Sequence, residues 1–163
     1  MTESKAYVVQ PDSGESYWQP VPANGFVEIH LSRHRVESRT PFESGVQSVA
    51  PGCFVREHAH DRHEELILVY QGEGEAIVDG ETHPMRPGTT LFLGPDRKHK
   101  FVNTGSEDMR FFWVLMPGGL GDFFSAIGRA RTPGEPAPAP FPRPENVAEI
   151  ERRTVFADPS EVS

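Results

Sequence analysis

Residues 51–74, PGCFVREHAHDRHEELILVYQGEG, set His58, His60 and His63 and the acids Glu57, Asp61, Glu64 and Glu65 ahead of an apolar run, Leu66 to Tyr70. Charged and polar groups resist burial unless something compensates them, yet the run they precede reads as a buried strand. His58 and His60 are one residue apart, so on an extended chain both imidazoles point to the same face. Glu65 begins the next strand, and a turn over Asp61 to Glu64 is expected to bring that strand back alongside the first. Two imidazoles and a carboxylate then converge on one point. First-row divalent metals accept this donor set, with coordination positions left open. A metal would also offset the desolvation of Glu65.

Working outward, short segments of strand character follow one another from Phe26: FVEIHLS, GVQSVA, CFVRE, ELILVYQ, EAIVD, THPMR, TTLFLG, HKFVN and MRFFWVLM. Turn signals such as GEG, DGE, RPG, GPD and NTG separate them. Many short strands without helical periodicity between them predict an all-β sandwich or barrel of antiparallel strands. In residues 111–116, alternation sends Phe111, Trp113 and Leu115 to one face and Phe112, Val114 and Met116 to the other; which set faces the interior is open. Residues 1–25 read as a polar arm broken by Pro11, Pro20 and Pro22, with Tyr7, Val8, Val9, Tyr17 and Trp18 to offer apolar contacts. Beyond Met116 the pattern changes. GGLGDFFSAIGRA predicts a short helix with Leu120, Phe123, Phe124 and Ile127 on one side. Six prolines among residues 133–144 predict an extended connector. PENVAEIERRT predicts a second short helix, with acids early and Arg152 and Arg153 in its last turn. The expected organisation is an arm over 1–25, a β-barrel over 26–117, and a helical and proline-rich extension over 118–163.

The chain has 163 residues, enough for one domain with its own core. Its formal charge of −8 would repel a polyphosphate, which argues against a nucleic-acid partner. Lone Cys53 has no internal disulfide partner and reads as a small apolar residue. MTESKAYVVQ has neither the basic start nor the apolar stretch of a secretory leader. No run approaches the ~20 apolar residues of a spanning helix. A cytoplasmic protein with no membrane contact is expected.

The spacing in the opening stretch resembles the cupin family. That family's first motif has a glycine, His-x-His, a glutamate and a second glycine, and Gly52, His58, His60, Glu65 and Gly72 fit it without a gap. The second motif resembles GTTLFLGPDRKHKFVN, residues 88–103, where His99 takes the place of the fourth ligand and Asn103 closes the motif. It departs from the family before that histidine, where Gly94 and Asp96 stand for a proline and a glycine. The resemblance covers roughly residues 40–117. It implies a double-stranded β-helix (jelly-roll) barrel, dimeric as a rule, with one divalent transition metal held by His58, His60, Glu65 and His99. Iron, manganese or nickel would use the open positions best, and zinc is the alternative. Within this motif, the six residues between Glu65 and Gly72 select Glu65 over Glu64, which alternation sends to the opposite face.

The remaining candidates are weaker. Arg56 shares the face of His58, so it either points inward to hold an anionic or phenolate substrate or makes a structural salt bridge at the rim. His63 is expected in the turn, where it would at most guard an entrance. His30, His34 and His83 have no spacing that ties them to a metal. Among cupins the resemblance favours a quercetinase-like oxygenase acting on a small aromatic or enolic oxygen compound, with Glu65 as general base. A metal-dependent cyclase, isomerase or lyase of the polyketide-cyclase kind is the alternative, as is a non-catalytic small-molecule-binding cupin. A homodimer is expected, because the arm and the apolar side of LGDFFSAI offer more hydrophobic surface than a lone barrel would leave to water.

Overall fold

A computed structural model describes residues 5–162. The first four residues of the expected arm and the last residue of the expected extension lie outside them. The strands are β1 (Glu15–Trp18), β2 (Phe26–Leu31), β3 (Glu43–Val49), β4 (Phe54–His58), β5 (Glu64–Gln71), β6 (Gly74–Val78), β7 (Glu81–Met85), β8 (Thr90–Leu93), β9 (His99–Asn103), β10 (Met109–Met116) and β11 (Arg129–Ala130). The helices are α1 (Leu120–Ile127) and α2 (Val147–Arg153). One sheet has the order β11-β1-β2-β3-β10-β5-β8 and the other β4-β9-β6-β7. The strand pairs are antiparallel, as expected of an all-β double-stranded β-helix barrel with short helices after it.

β10 explains how the larger sheet is anchored. Its residues alternate strictly between buried and half-buried, with Met109, Phe111, Trp113 and Leu115 inside. That settles which aromatic set faces the core. Phe111 meets Phe101 of β9 edge to face at 5.3 Å between ring centroids, so the two sheets share one core. Trp113 is fully buried opposite Gly45 of β3, where a Cβ would come within 2.7 Å of the indole. Removing a side chain of this size from a core costs about 3–5 kcal/mol.

One expectation fails. β5 does not return alongside β4: β4 pairs with β9, whereas β5 runs between β10 and β8 in the other sheet. Residues 59–63 carry the chain across the gap between sheets. β5 buries Glu65, Ile67 and Val69 on its inner face, and Ile67 and Val69 join the core that the two sheets share.

The arm lies on its own barrel. β1 pairs with β2 and with β11. Glu28 on β2, 4% exposed, accepts the Asp12 and Gly14 N–H groups at 3.2 and 2.8 Å. The apolar side of α1, Leu120, Phe123, Phe124 and Ile127, is buried in the same core. Buried Glu43 of β3 accepts the Gly121 N–H at 3.0 Å, placing a carboxylate at the positive end of α1. Of the surface on which the homodimer expectation rested, the side of α1 is covered within the chain and Val9, Tyr17 and Trp18 are half-buried, while Tyr7 and Val8 stay exposed. Large apolar side chains are exposed on β5 and β8 too, at Leu68, Tyr70 and Phe92. No helix among the described residues is long and apolar enough to cross a membrane.

Candidate metal centre

His58 ends β4 and His99 begins β9. The register places these two directly opposite each other, with ring centroids 4.1 Å apart. His60 follows on the crossing segment, and Glu65 reaches in from β5 of the facing sheet. One ligand atom from each of the four residues lies within 4.8 Å of the others. The crossing segment is tied to the loop before β9 by the Asp96 N–H, which donates to the His60 carbonyl at 2.8 Å. Asp96 has φ 61°, a left-handed conformation that glycine adopts freely and that aspartate tolerates better than most residues. The departure from the family's pattern at this position thus keeps the turn.

The histidines are oriented from behind. Nδ1 of His58, His60 and His99 lies 2.8, 2.8 and 2.9 Å from the carbonyls of Arg56, Val155 and Arg97. A carbonyl can only accept, so each Nδ1 donates its proton and each Nε2 turns a lone pair inward. Nε2 of His60 and of His99 lies 3.5 and 3.2 Å from Glu65 Oε2, yet none of these three buried atoms makes a hydrogen bond. Acceptors facing acceptors repel unless a cation lies between them. Three neutral imidazoles and one carboxylate are a set that a first-row divalent ion fits.

The electrostatics agree. Burial, together with His99 and His60, pushes His58 well below the usual imidazole range. Burial also opposes charge on Glu65, but His60 and His99 outweigh it and hold the carboxyl well below its ordinary range. For His60, burial is outweighed by Glu65, the Val155 carbonyl and Asp61, and its pKa is raised. A proton on His60 is thus the cation the chain itself can place against Glu65.

A pocket opens from these ligands, walled by Phe54, Phe101, Phe123, Phe124 and Phe156, with Gln19, Gln47, Arg56 and Arg143 among its polar lining. Trp113 is not part of that wall. Arg56 makes the salt bridge considered for it, to Glu151 of α2, and also lines the pocket. His63, expected in an exposed turn, is 2% exposed, its ring 6.0 Å from that of His60, and it stands outside the four-residue group. Burial and His60 lower its pKa. Glu64 is exposed as expected, while His30, His34 and His83 face Glu28, Asp122 and Glu81 and stand outside the four-residue group.

Sequence reasoning missed the contribution of residues 154–157. The Val155 carbonyl fixes His60, the Ala157 N–H donates to the Ala59 carbonyl at 2.9 Å, and Phe156 packs 5.3 Å from both His58 and His60. It also missed Arg143 and Glu151. No local pattern marks any of them, because each acts on a residue about a hundred positions away or on the pocket as a whole.

Residues 45–115 match the Cupin domain family. Protein SchB of Streptomyces halstedii is 34% identical over 121 residues, 72% of this chain and 82% of that protein. Polyketide synthase CurC of Streptomyces cyaneus is 37% identical over 73 residues, 45% of this chain, and the match spans about half of that protein, 47%. A Cupin 2 conserved barrel domain protein from Salinispora arenicola superposes with a TM-score of 0.54 at 23% identity, over 76% of this chain and 98% of that one, a likeness of fold alone. With the motif residues gathered at one point of a double-stranded β-helix and a relative matched along most of its length, the chain belongs to the cupin family.

Proposed function

We propose that this cupin is a divalent-metal-dependent enzyme acting on a small aromatic or enolic oxygen compound, and that it closes or isomerises a ring of the polyketide kind. The observation that carries this reading is the convergence of four ligand atoms, three of them buried without a hydrogen bond, beside a phenylalanine-walled pocket that His58, His60 and Glu65 line. The similarity to polyketide synthase CurC supports the substrate class. His58, His60, Glu65 and His99 would hold the ion, which would supply Lewis-acid polarisation of a substrate oxygen. Glu65, ionised because of its histidine neighbours, takes the proton released as the substrate enolises. The phenylalanine walls hold the ring and exclude water, and the backbone carbonyls behind the histidines keep their tautomers fixed.

An oxygenase is the second reading. Four protein donors leave two positions of a six-coordinate iron, manganese or nickel ion for substrate and dioxygen together. Metal content of protein purified without added metals, then turnover of a panel of phenolic and poly-β-carbonyl compounds with and without oxygen, separates the two. Undiminished turnover under strict anaerobiosis supports ring closure; oxygen uptake in step with substrate loss supports the oxygenase. Metal binding without any turnover would leave a binding protein. A homodimer belongs to the proposal as well, now through the outer face of β5 and β8 with Leu68, Tyr70 and Phe92. Light scattering at twice the 18.2 kDa chain mass is the expected result.

A further inference from the structure

Two arginines from distant parts of the chain line the pocket together. Arg56 comes from β4, next to the metal-ligand segment, and Arg143 from the proline-rich connector. Both donate through Nη2 to one oxygen, Oε1, of Glu151 on α2. The three side chains are 28%, 23% and 17% exposed, so they are mostly withdrawn from bulk water. Arg56 makes one further hydrogen bond, from Nη1 to the Glu57 carbonyl at a long 3.3 Å, and its guanidinium lies 5.6 Å from the Phe156 ring centroid. Each guanidinium offers five N–H donors in a planar fork and stays charged at any physiological pH. One carboxylate therefore answers two cations, and an excess positive charge with spare donors stands at the pocket of a chain whose formal charge is −8.

A helix tie would need only one of these arginines. The second, set on the same pocket lining as the phenylalanine walls, has a better use. We infer that Arg56 and Arg143 form an anion subsite that selects aromatic carboxylates: the guanidinium pair takes the carboxylate, sharing or displacing Glu151, while the phenylalanine walls take the ring. The inference deepens the proposed function, resting on the pocket as the substrate's site, and it assigns that substrate an acid group which the arginines, not the metal ligands, recognise. Glu151 acts as the internal competitor that keeps the pair from collapsing onto solvent anions.

The test compares benzoate with isosteric, neutral benzamide by ligand-observed NMR titration, first on metal-free protein, where no ion can account for a preference for the anion. Benzoate is expected to bind at least about tenfold tighter, the scale of one charge-assisted bidentate contact. Arg143→Gln should reduce that preference to threefold or less, and Arg143→Lys should restore part of it. Glu151→Gln is the decisive variant: with the competitor gone, benzoate should bind several-fold tighter, whereas a merely structural tie would leave affinity unchanged or weaken it. Circular dichroism checks that each variant is folded, and Arg143→Gln and Glu151→Gln carry the test if Arg56→Gln does not fold. Equal binding of the two probes, binding of neither, or unchanged or weaker benzoate binding in Glu151→Gln overturns the inference. Metal uptake measured on the same preparation judges the metal reading separately, since its absence leaves the metal-free titration intact.

Discussion

Glu65 and Glu43 are both buried carboxylates, 4% and 1% exposed, on strands of the same sheet, and they are answered in opposite ways. Glu43 accepts a backbone N–H from Gly121 and faces Arg33, whose Nε is 3.9 Å away. Glu28 accepts two backbone N–H groups in the same manner. Glu65 is met by the imidazole nitrogens of His60 and His99, each of whose protons is already given to a backbone carbonyl on the far side of the ring. The chain supplies donors to the first two carboxylates and withholds them from the third. Burial of charge is thus common to all three carboxylates; what separates Glu65 is that the chain offers it no N–H donor, whereas Glu43 has one on Oε2 and the charge of Arg33 facing its otherwise unbonded Oε1.

Isosteric substitution presses hardest on that distinction. Glu65→Gln keeps an oxygen acceptor but removes the charge and the ability to take a proton, so turnover per bound metal should fall by about 10²- to 10⁴-fold in a metal-normalised assay. Loss of a ligand comes next. His99→Ala should weaken metal binding on the order of 100-fold or more, beyond what the loss of an outer hydrogen-bond partner costs, and competition with a chromophoric chelator measures it. A full equivalent of metal at unchanged affinity would break the contrast. At the other carboxylate the effect should move to stability alone. Glu43→Ala leaves the Gly121 N–H unanswered and should cost about 1–3 kcal/mol in denaturant unfolding with metal content unchanged, while Glu43→Gln, which still accepts that bond, should cost well under half as much.

The smallest effect is one of pH. His60 is raised in the metal-free protein, so its contribution to stability is fully present below the unfolded imidazole value of about 6.5 and is lost as pH rises through the folded value above it. Metal needs His60 unprotonated on Nε2, so affinity should rise across the same window. The gain in melting temperature on adding metal should therefore be larger at pH 8 than at pH 6, and a gain independent of pH would show that no proton is displaced.

Much of this was legible in the sequence because its signals are local and periodic. Alternation in β10 separates Trp113 from Phe112, and the side of α1 carrying Phe123 and Phe124 follows from helical spacing. The motif spacing picks out the four residues that the fold brings within 4.8 Å of one another. What was not legible depends on topology. That β4 and β5 belong to different sheets follows from which strands β9 and β10 recruit, and nothing in residues 54–71 encodes it. Arg143, Glu151 and Val155 act across the fold, and neither composition nor period distinguishes them from neighbours such as Arg152 or Thr154. Asp96 was legible as a departure, but only its φ shows that the turn is kept.

The bond from His60 to the Val155 carbonyl spans 95 positions of sequence and makes two equilibria into one. If the seated segment 155–157 improves metal affinity by some factor, then bound metal must favour the seated segment by the same factor, since linkage runs equally in both directions. Chelation should consequently speed amide exchange at Ala157, whose N–H is held by Ala59, and should open the Phe156 peptide bonds to protease. Substituting Phe156 by alanine should loosen the ion without touching a ligand. The segment then serves as a built-in reporter of occupancy, readable by a protease in a sample for which no substrate is known.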